Sequence, residues 1–273
     1  MEKNTYPVES WKVTEKKFLK EWNYRNETTF ALSNGYIGTR GTFDEGYPFT
    51  VDEGLEGNFI NGFYESENIR YGEWNFGFPK KSQSLLNLPN LKKTTLIFDD
   101  EPFDLFTGEI KEYERSLLME DGEVIRNVYW KSPKGKEVKV TFKRLVSFSD
   151  KNLMGMQIKF TPLNFSGKVK INSFFDGAVE NHTSTTNPLI DYGPYGKHLI
   201  PRGLDVKGDT LIYEAEVKNN KFTMACGSVC KCGGEITDKD IQEETAVVTY
   251  QLDVTENEEY TFEKIIAYSS DLD

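Results

Sequence analysis

The sequence predicts an all-β domain, and three observations carry that prediction. From about residue 94 onward apolar and polar residues alternate with a period of two, the turns between these runs use residues suited to antiparallel hairpins, and no segment offers a long amphipathic helix. A parallel sheet would need strands alternating with full-length helices, so the strands are expected to pair antiparallel.

The alternation is clearest in EVKVTFK, where Val138, Val140 and Phe142 share one face and Lys139, Thr141 and Lys143 the other. VVTYQLDV repeats it with Val248, Tyr250, Leu252 and Val254. Further strands are expected at 94–98, 124–130, 153–160, 168–175, 210–217, 221–229 and 260–268. Between them stand DG at 121–122, PKG at 133–135, NFSG at 164–167, KGD at 207–209 and KNN at 218–220, all turn formers. One short helix is expected, in TEKKFLKEW at 14–22. So many strands suit two large stacked antiparallel sheets, a β-sandwich. With 273 residues, 37% of them hydrophobic, the chain suffices for one large unit spanning 1–273.

A net charge of −11 opposes polyanionic partners, so neither nucleic acid nor an anionic lipid surface is expected. The opening MEKNTYPVESWK has no apolar core of a signal peptide, and no apolar run is long enough to span a bilayer. A cytoplasmic protein is expected, and the triplets at Asn26, Asn164 and Asn181 then carry no glycosylation meaning. Cys226, Cys230 and Cys232 fall on one face if MACGSVCKC is a strand. Residues two apart on a strand are separated by about 6.6 Å, whereas two thiolates on one zinc stand about 3.8 Å apart. Structural thiols, and no metal, are expected.

Two constellations invite a functional reading. Asp176, Glu180 and His182, with His198 beyond, could supply the acid and base of a sugar epimerase, but no mutarotase motif surrounds them and a strand end and a loop is the favoured account. Residues 44–92 have little periodicity and are rich in Gly, Asn and aromatics. Their stretch 61–78 holds Tyr64, Tyr71, Trp74, Phe76 and Phe78, which would serve to stack on a sugar face or to pack against another domain or subunit.

FALSNGYIGTRG, residues 30–41, poses the question of a phosphate loop. Its glycines have neither dinucleotide nor P-loop spacing, and TFDEGYPF after Gly41 is no helix, so there is no helix N-terminus to receive phosphate. A type I′ turn at Asn34-Gly35, with close backbone approach at Gly38 and Gly41, is expected instead.

The run ETTFALSNGYIGTRGTFDEG at 27–46 resembles the N-terminal signature of glycoside hydrolase family 65, the inverting disaccharide phosphorylases such as maltose, kojibiose and trehalose phosphorylase. NGFYE at 61–65, LNLPN at 86–90, YERSLLMEDGEVIRNVYW at 113–130 and KGKEVKVTFKRLVSF at 135–148 are similar to further words of that family. The chain departs from it at Leu117-Leu118-Met119, where Leu-Asp-Met is frequent. The resemblance implies a supersandwich like that of galactose mutarotases, joined to an (α/α)6 barrel that carries the catalytic acid and binds inorganic phosphate as co-substrate. No such helices are found here, so the chain looks like an excised domain without catalytic residues or cofactor. The implied partners are the barrel of the same polypeptide, its disaccharide substrate and a second copy in a homodimer. From their place in the motifs, Asn34, Tyr36, Arg40 and Tyr64 are the residues expected at the pocket rim or interdomain surface. A free-standing carbohydrate-binding module is the competing expectation.

Overall fold

The computed structural model describes residues 6–47, 54–181, 190–191 and 196–273. Before the first long strand come β1 (Lys12–Glu15), a 3-10 turn at Lys20–Trp22, α1 (Asn23–Thr29), β2 (Leu32–Ser33), β3 (Ile37–Thr39), β4 (Asn58–Ile60), β5 (Tyr64–Asn68), β6 (Arg70–Tyr71) and β7 (Lys81–Leu85). The sandwich proper adds β8 (Thr94–Phe98), β9 (Glu101–Pro102), β10 (Glu109–Leu118), β11 (Glu123–Lys131), β12 (Glu137–Val146), β13 (Leu153–Pro162) and β14 (Gly167–Asp176). It closes with β15 (Ile190–Asp191), β16 (Leu199–Lys207), β17 (Thr210–Val217), β18 (Thr223–Cys232), β19 (Glu235–Ile241), β20 (Thr245–Val254) and β21 (Tyr260–Ser270).

The large sheet has nine strands in the order β1-β10-β11-β12-β13-β21-β18-β17-β16, and the second has five in the order β19-β20-β14-β8-β9. All pairings within them are antiparallel, so the expected two-sheet sandwich is present. Period two is why the sheets stack: along β12 Val138, Val140, Phe142, Arg144 and Val146 are buried, while Lys139 between the two valines is exposed.

Two apolar clusters fill the interior. Phe98, Trp130, Phe160, Val169, Tyr250 and Phe262 belong to one, toward the end where β11 finishes. Val146, Met154, Tyr213, Ile266 and Tyr268 belong to the other, which Leu32, Ile37, Ile60 and Phe63 complete. Leu32, Ile37, Ile60 and Phe63 therefore act as part of the second layer, covering inner surface of the large sheet beside the five-stranded one.

The N-terminal helix is displaced from its expected place. Thr14 and Glu15, at the start of the predicted 14–22 helix, are buried strand residues paired with Ser116 and Arg115. The helix forms over Asn23–Thr29, whose buried residues are the polar Asn23, Asn26 and Glu27. An apolar period could not reveal it. The expected turn also differs in type. Ser33 pairs with Gly38, and within the loop only Gly35 has positive φ, +88°, matching the II′ rather than the I′ pattern. Tyr36 keeps negative φ because a side chain there would be strained otherwise. The expected close approach holds at Gly41, where a Cβ would stand 2.6 Å from the Phe30 carbonyl oxygen, but not at Gly38, where it would meet only Ser33 Oγ at 3.9 Å.

Candidate functional site

The Asn34–Tyr36 turn lies at the end of the sandwich where β10, β12 and β21 finish. The Asn34 amide makes four hydrogen bonds: Nδ2 donates to the carbonyls of Ser147 (2.6 Å) and Lys151 (3.0 Å), and Oδ1 accepts from the N–H groups of Tyr36 (3.0 Å) and Ile37 (2.8 Å). Its bonding capacity is used up. The Tyr36 hydroxyl donates to Asp273 Oδ2 at 2.8 Å, and Lys151 Nζ sits 4.6 Å from the ring centroid. Burial, and then the Asp273 carboxylate, push the Tyr36 hydroxyl up to about 12.

Arg40 is turned inward. Its guanidinium donates to the carbonyls of Leu55 (2.8 Å) and Tyr24 (3.3 Å), to Thr28 Oγ1 (3.2 Å) and to Glu27 Oε2 (3.2 Å), so it ties the segment after residue 54 to α1. Glu27 is fully buried and also receives Asn23 Nδ2, the Tyr47 hydroxyl and the Leu55 N–H. Tyr64 begins a two-stranded arm, β5 with β7. The arm is rooted on the β17–β18 turn: Tyr64 packs edge-on to Phe222, its carbonyl accepts from Asn220 Nδ2 (2.8 Å), and Glu65 accepts the Asn219 N–H (3.0 Å). At the tip Tyr71 and Phe78 pack on each other, while Trp74 and Phe76 are exposed, Phe76 at 97%. These four residues do not form one site. Asn34 and Tyr36 share a turn, Arg40 is internal bracing, and Tyr64 braces the arm.

Three of the four residues of the acid–base constellation are described, each with contacts of its own. Asp176 Oδ1 caps the N–H of Ala178 (3.0 Å), and the Glu180 carbonyl accepts from Asn87 Nδ2 (3.2 Å). His198 is buried with Nδ1 3.8 Å from Glu65 Oε2 and 3.7 Å from Glu67 Oε1. His182 lies outside the described residues. Cys226 and Cys230 are buried and Cys232 half-buried.

Sequence reasoning missed a layer of buried charge beneath the glycine segment. Arg115, Arg126 and Arg144 project from β10, β11 and β12 on the inner face of the large sheet and receive residues 41–45. Arg126 grips Glu45 with two parallel hydrogen bonds, Nη1 to Oε1 at 2.7 Å and Nη2 to Oε2. Arg144 Nη2 donates to Asp44 Oδ1 (2.6 Å) and the Thr42 carbonyl (3.0 Å), and Arg115 Nη1 to the Gly41 carbonyl (3.1 Å). Lys92 pairs with Glu56 at 2.5 Å and donates to Thr42 Oγ1 at 3.1 Å. Aromatic rings and guanidinium planes alternate: Arg115 lies 4.3 Å from the Phe30 centroid and 5.1 Å from Phe43, and Arg126 lies 4.3 Å from Phe43 and 4.1 Å from Phe142. Burial works against ionising Asp44, but Arg144 and then Arg126 hold its carboxyl below the usual range. Burial brings Lys92 down to about 8 against the pull of Glu56. The space left beside the arginines is about 20 Å³, room for one water and not for phosphate.

The signal was present in the alternation. Arg144 occupies the inward phase of Val138, Val140, Phe142 and Val146, and Arg126 that of Val128 and Trp130. A cation in core phase on neighbouring strands requires buried carboxylates opposite, and DEG at 44–46 supplies two.

Among the described residues no helix is long and apolar enough to cross a membrane. The α,α-trehalose phosphorylase of Thermoanaerobacter brockii is 36% identical over 99% of this chain and 35% of its own length. The kojibiose phosphorylase of Halothermothrix orenii is 34% identical over 63% of the chain and 20% of its own length. A solved structure from the human microbiome, assigned provisionally as a kojibiose phosphorylase, superposes with a TM-score of 0.83 at 20% identity, over 98% of this chain and 33% of that one. At that identity the likeness speaks for the fold alone. The chain spans about a third of the length of these fuller relatives. The family description "Glycosyl hydrolase family 65, N-terminal domain" matches residues 13–273, and the chain belongs to that family.

Proposed function

We propose that this chain is the non-catalytic N-terminal domain of an inverting disaccharide phosphorylase, cleaving an α-linked glucose disaccharide with inorganic phosphate to β-glucose 1-phosphate and glucose. The observation that carries the reading is the family match over 13–273 in a chain that spans a third of phosphorolytic relatives. In that reaction a phosphate oxygen attacks the anomeric carbon from the face opposite the scissile bond, the glycosidic C–O bond breaks, and a carboxylic acid protonates the departing oxygen. The acid and the phosphate site belong to the helical domain of a longer polypeptide; the buried carboxylates described above face arginines with no room for substrate.

The roles left to this domain are scaffold, wall of the pocket and contact between two copies in a cytoplasmic homodimer. The arm from Tyr64 to Leu85, with Trp74 and Phe76 at its tip, suits the pocket rim. A shallow trough of about 550 Å³ on the outer face, bordered by Leu145, Val229 and Ile265 over Gly155, suits a second copy. The decisive assay is phosphate release or uptake with maltose, kojibiose and trehalose. The 273-residue chain is expected to be inert and the polypeptide carrying the helical domain active; phosphorolysis by the chain itself would sink the reading. The exposed aromatic tip also fits a sugar-binding module, and calorimetric titration of the chain with the three disaccharides separates the two, since binding without any catalytic partner supports only the module.

A further inference from the structure

Four polar groups meet inside the sandwich where the β18–β21 pair faces β14 and β20. Cys230 and Lys264 stand directly opposite each other on the paired strands, both buried. Lys264 Nζ donates to the Phe174 carbonyl at 3.4 Å, and Cys230 Sγ lies 3.4 Å from the hydroxyl of the preceding residue, Ser173, so both side chains reach the same point of β14. The Tyr250 hydroxyl, on β20, is buried without a hydrogen bond to nitrogen or oxygen, and the Cys230 thiol is its neighbour.

The cluster is rich in donors. An ammonium donates and never accepts, and the hydroxyls of Ser173 and Tyr250 each have a proton to give. Burial brings the Lys264 amine down to about 8, so it is charged at neutral pH; burial, and then Cys230, push the Tyr250 hydroxyl up, so it keeps its proton. The same inward row of the large sheet holds a second cation for comparison: Arg144 pairs with Met156, Met156 with Lys264 and Lys264 with Cys230. Arg144 takes its counter-charge from the chain, Asp44 at 2.6 Å, whereas Lys264 has no carboxylate partner among the described residues. A buried ammonium is costly unless a negative charge shares its site. A halide suits a single cation in a packed interior, because it is small, singly charged and accepts from N–H, O–H and S–H alike.

We propose that this cluster binds a small monovalent anion, a halide such as chloride, held by Lys264, Tyr250 and Ser173 as the counter-charge that the chain itself does not bring to Lys264. The backbone of the β18–β21 pair separates the cluster from the outer trough, whose lining includes Cys230 and Lys264, so the ion exchanges with solvent when that pair opens locally. The inference stands apart from the functional reading above, since neither sugar nor catalytic partner enters it.

Urea unfolding in sodium chloride, sodium bromide and sodium gluconate at equal ionic strength tests it. The midpoint is expected to be higher in chloride and bromide than in gluconate. Once the site is filled, each tenfold rise in halide should raise the folded-to-unfolded ratio about tenfold, as for one ion bound on folding. Lys264→Met should lose that response altogether, and Tyr250→Phe, which keeps the ring and removes one donor, should need several-fold more halide for the same shift. Anomalous scattering from a crystal grown in bromide reads the site directly, with a peak expected within hydrogen-bonding distance of Lys264 Nζ and Tyr250 Oη. Equal halide responses in wild type and Lys264→Met would reduce the effect to bulk salt and overturn the site, as would no response in the wild type. Bromide peaks confined to the protein surface would overturn it too, even if neither variant folds.

Discussion

Among the described residues the sandwich buries arginine and lysine charge in two places and treats it in opposite ways. Beneath residues 41–45, three arginines meet Glu15, Asp44 and Glu45, with aromatic rings stacked between the guanidinium planes. Two strands away in the same sheet, Lys264 is only 1% exposed, and its single described hydrogen bond runs to the Phe174 carbonyl at 3.4 Å. Among the described residues no carboxylate pairs with it. The first arrangement needs the loop from 40 to 46 to fold over the sheet before its charges are satisfied, so it makes that loop a part of the core. The second costs stability and organises nothing. Buried charge therefore acts here as a fastener only where both signs are present.

Removing one sign from the arginine layer is the strongest way to break the contrast. Arg126→Ala strands Glu45 and leaves Asp44 with one partner, and a loss of about 3–5 kcal/mol, or outright failure to fold, is expected in urea unfolding. Arg126→Met, with Glu45→Gln beside it, should recover much of that loss, since it is the unpaired charge that is expensive. A loss under about 1 kcal/mol for Arg126→Ala would mean that the pair is solvated and the layer is not a fastener. Gly41→Ala attacks the loop from its other side. The added Cβ meets the Phe30 backbone at 2.6 Å, and neither that carbonyl nor the Arg115 bond to the Gly41 carbonyl can move freely, so about 1–3 kcal/mol should be lost.

How much of this was legible follows from what each element asks of a sequence. Strands with one buried and one wet face print their phase on the chain, and Thr94–Phe98 and Thr210–Val217 form at their expected bounds. Among the strands of seven or more residues, three escaped. A register shift between Ile110 and Glu112 disturbs the phase of β10, another between Pro201 and Gly203 interrupts β16, and β19 is an edge strand with nearly every residue exposed. The turn at Asn34-Gly35 was legible because turn chemistry is local, although its type was not. The Tyr36 bond to Asp273 joins residues 237 apart, and nothing local encodes it. The arginine layer lay between these cases. Its phase was in the sequence, but a strand pattern does not say which loop brings the counter-ions.

Phe43 separates the ionic part of the fastener from the aromatic part. Its ring lies between Arg115 and Arg126, so Phe43→Leu keeps most of the apolar volume and removes both stacking faces. A loss of about 1–2 kcal/mol is expected, with each face contributing about 0.5–1. In a double-mutant cycle with Arg126→Met the coupling should be positive and of that size. Additivity would show the ring to be filling space only, and the ion pairs to act without it.

Lys264 sharpens the other side of the comparison, because its prediction has a sign and a pH. Burial brings its amine down to about 8, below the value of about 10.4 for an unfolded chain. Between those two values the unfolded state binds more protons than the folded one, so stability rises with pH across that window. Below about 8 both states carry the charge and the whole penalty of burying it is felt; above about 10.4 both are neutral and the penalty is gone. Lys264→Met, close in volume and without charge, should therefore be more stable than wild type by about 1–2 kcal/mol at neutral pH, the lost bond to Phe174 offsetting part of the gain. The difference should shrink as pH rises from 8 toward 10.4, which urea unfolding of both proteins in parallel would follow. A destabilised variant at neutral pH, or a difference that does not change with pH, would mean that Lys264 is held by something as strong as the carboxylates beneath the glycine segment, and the two sites would then be alike.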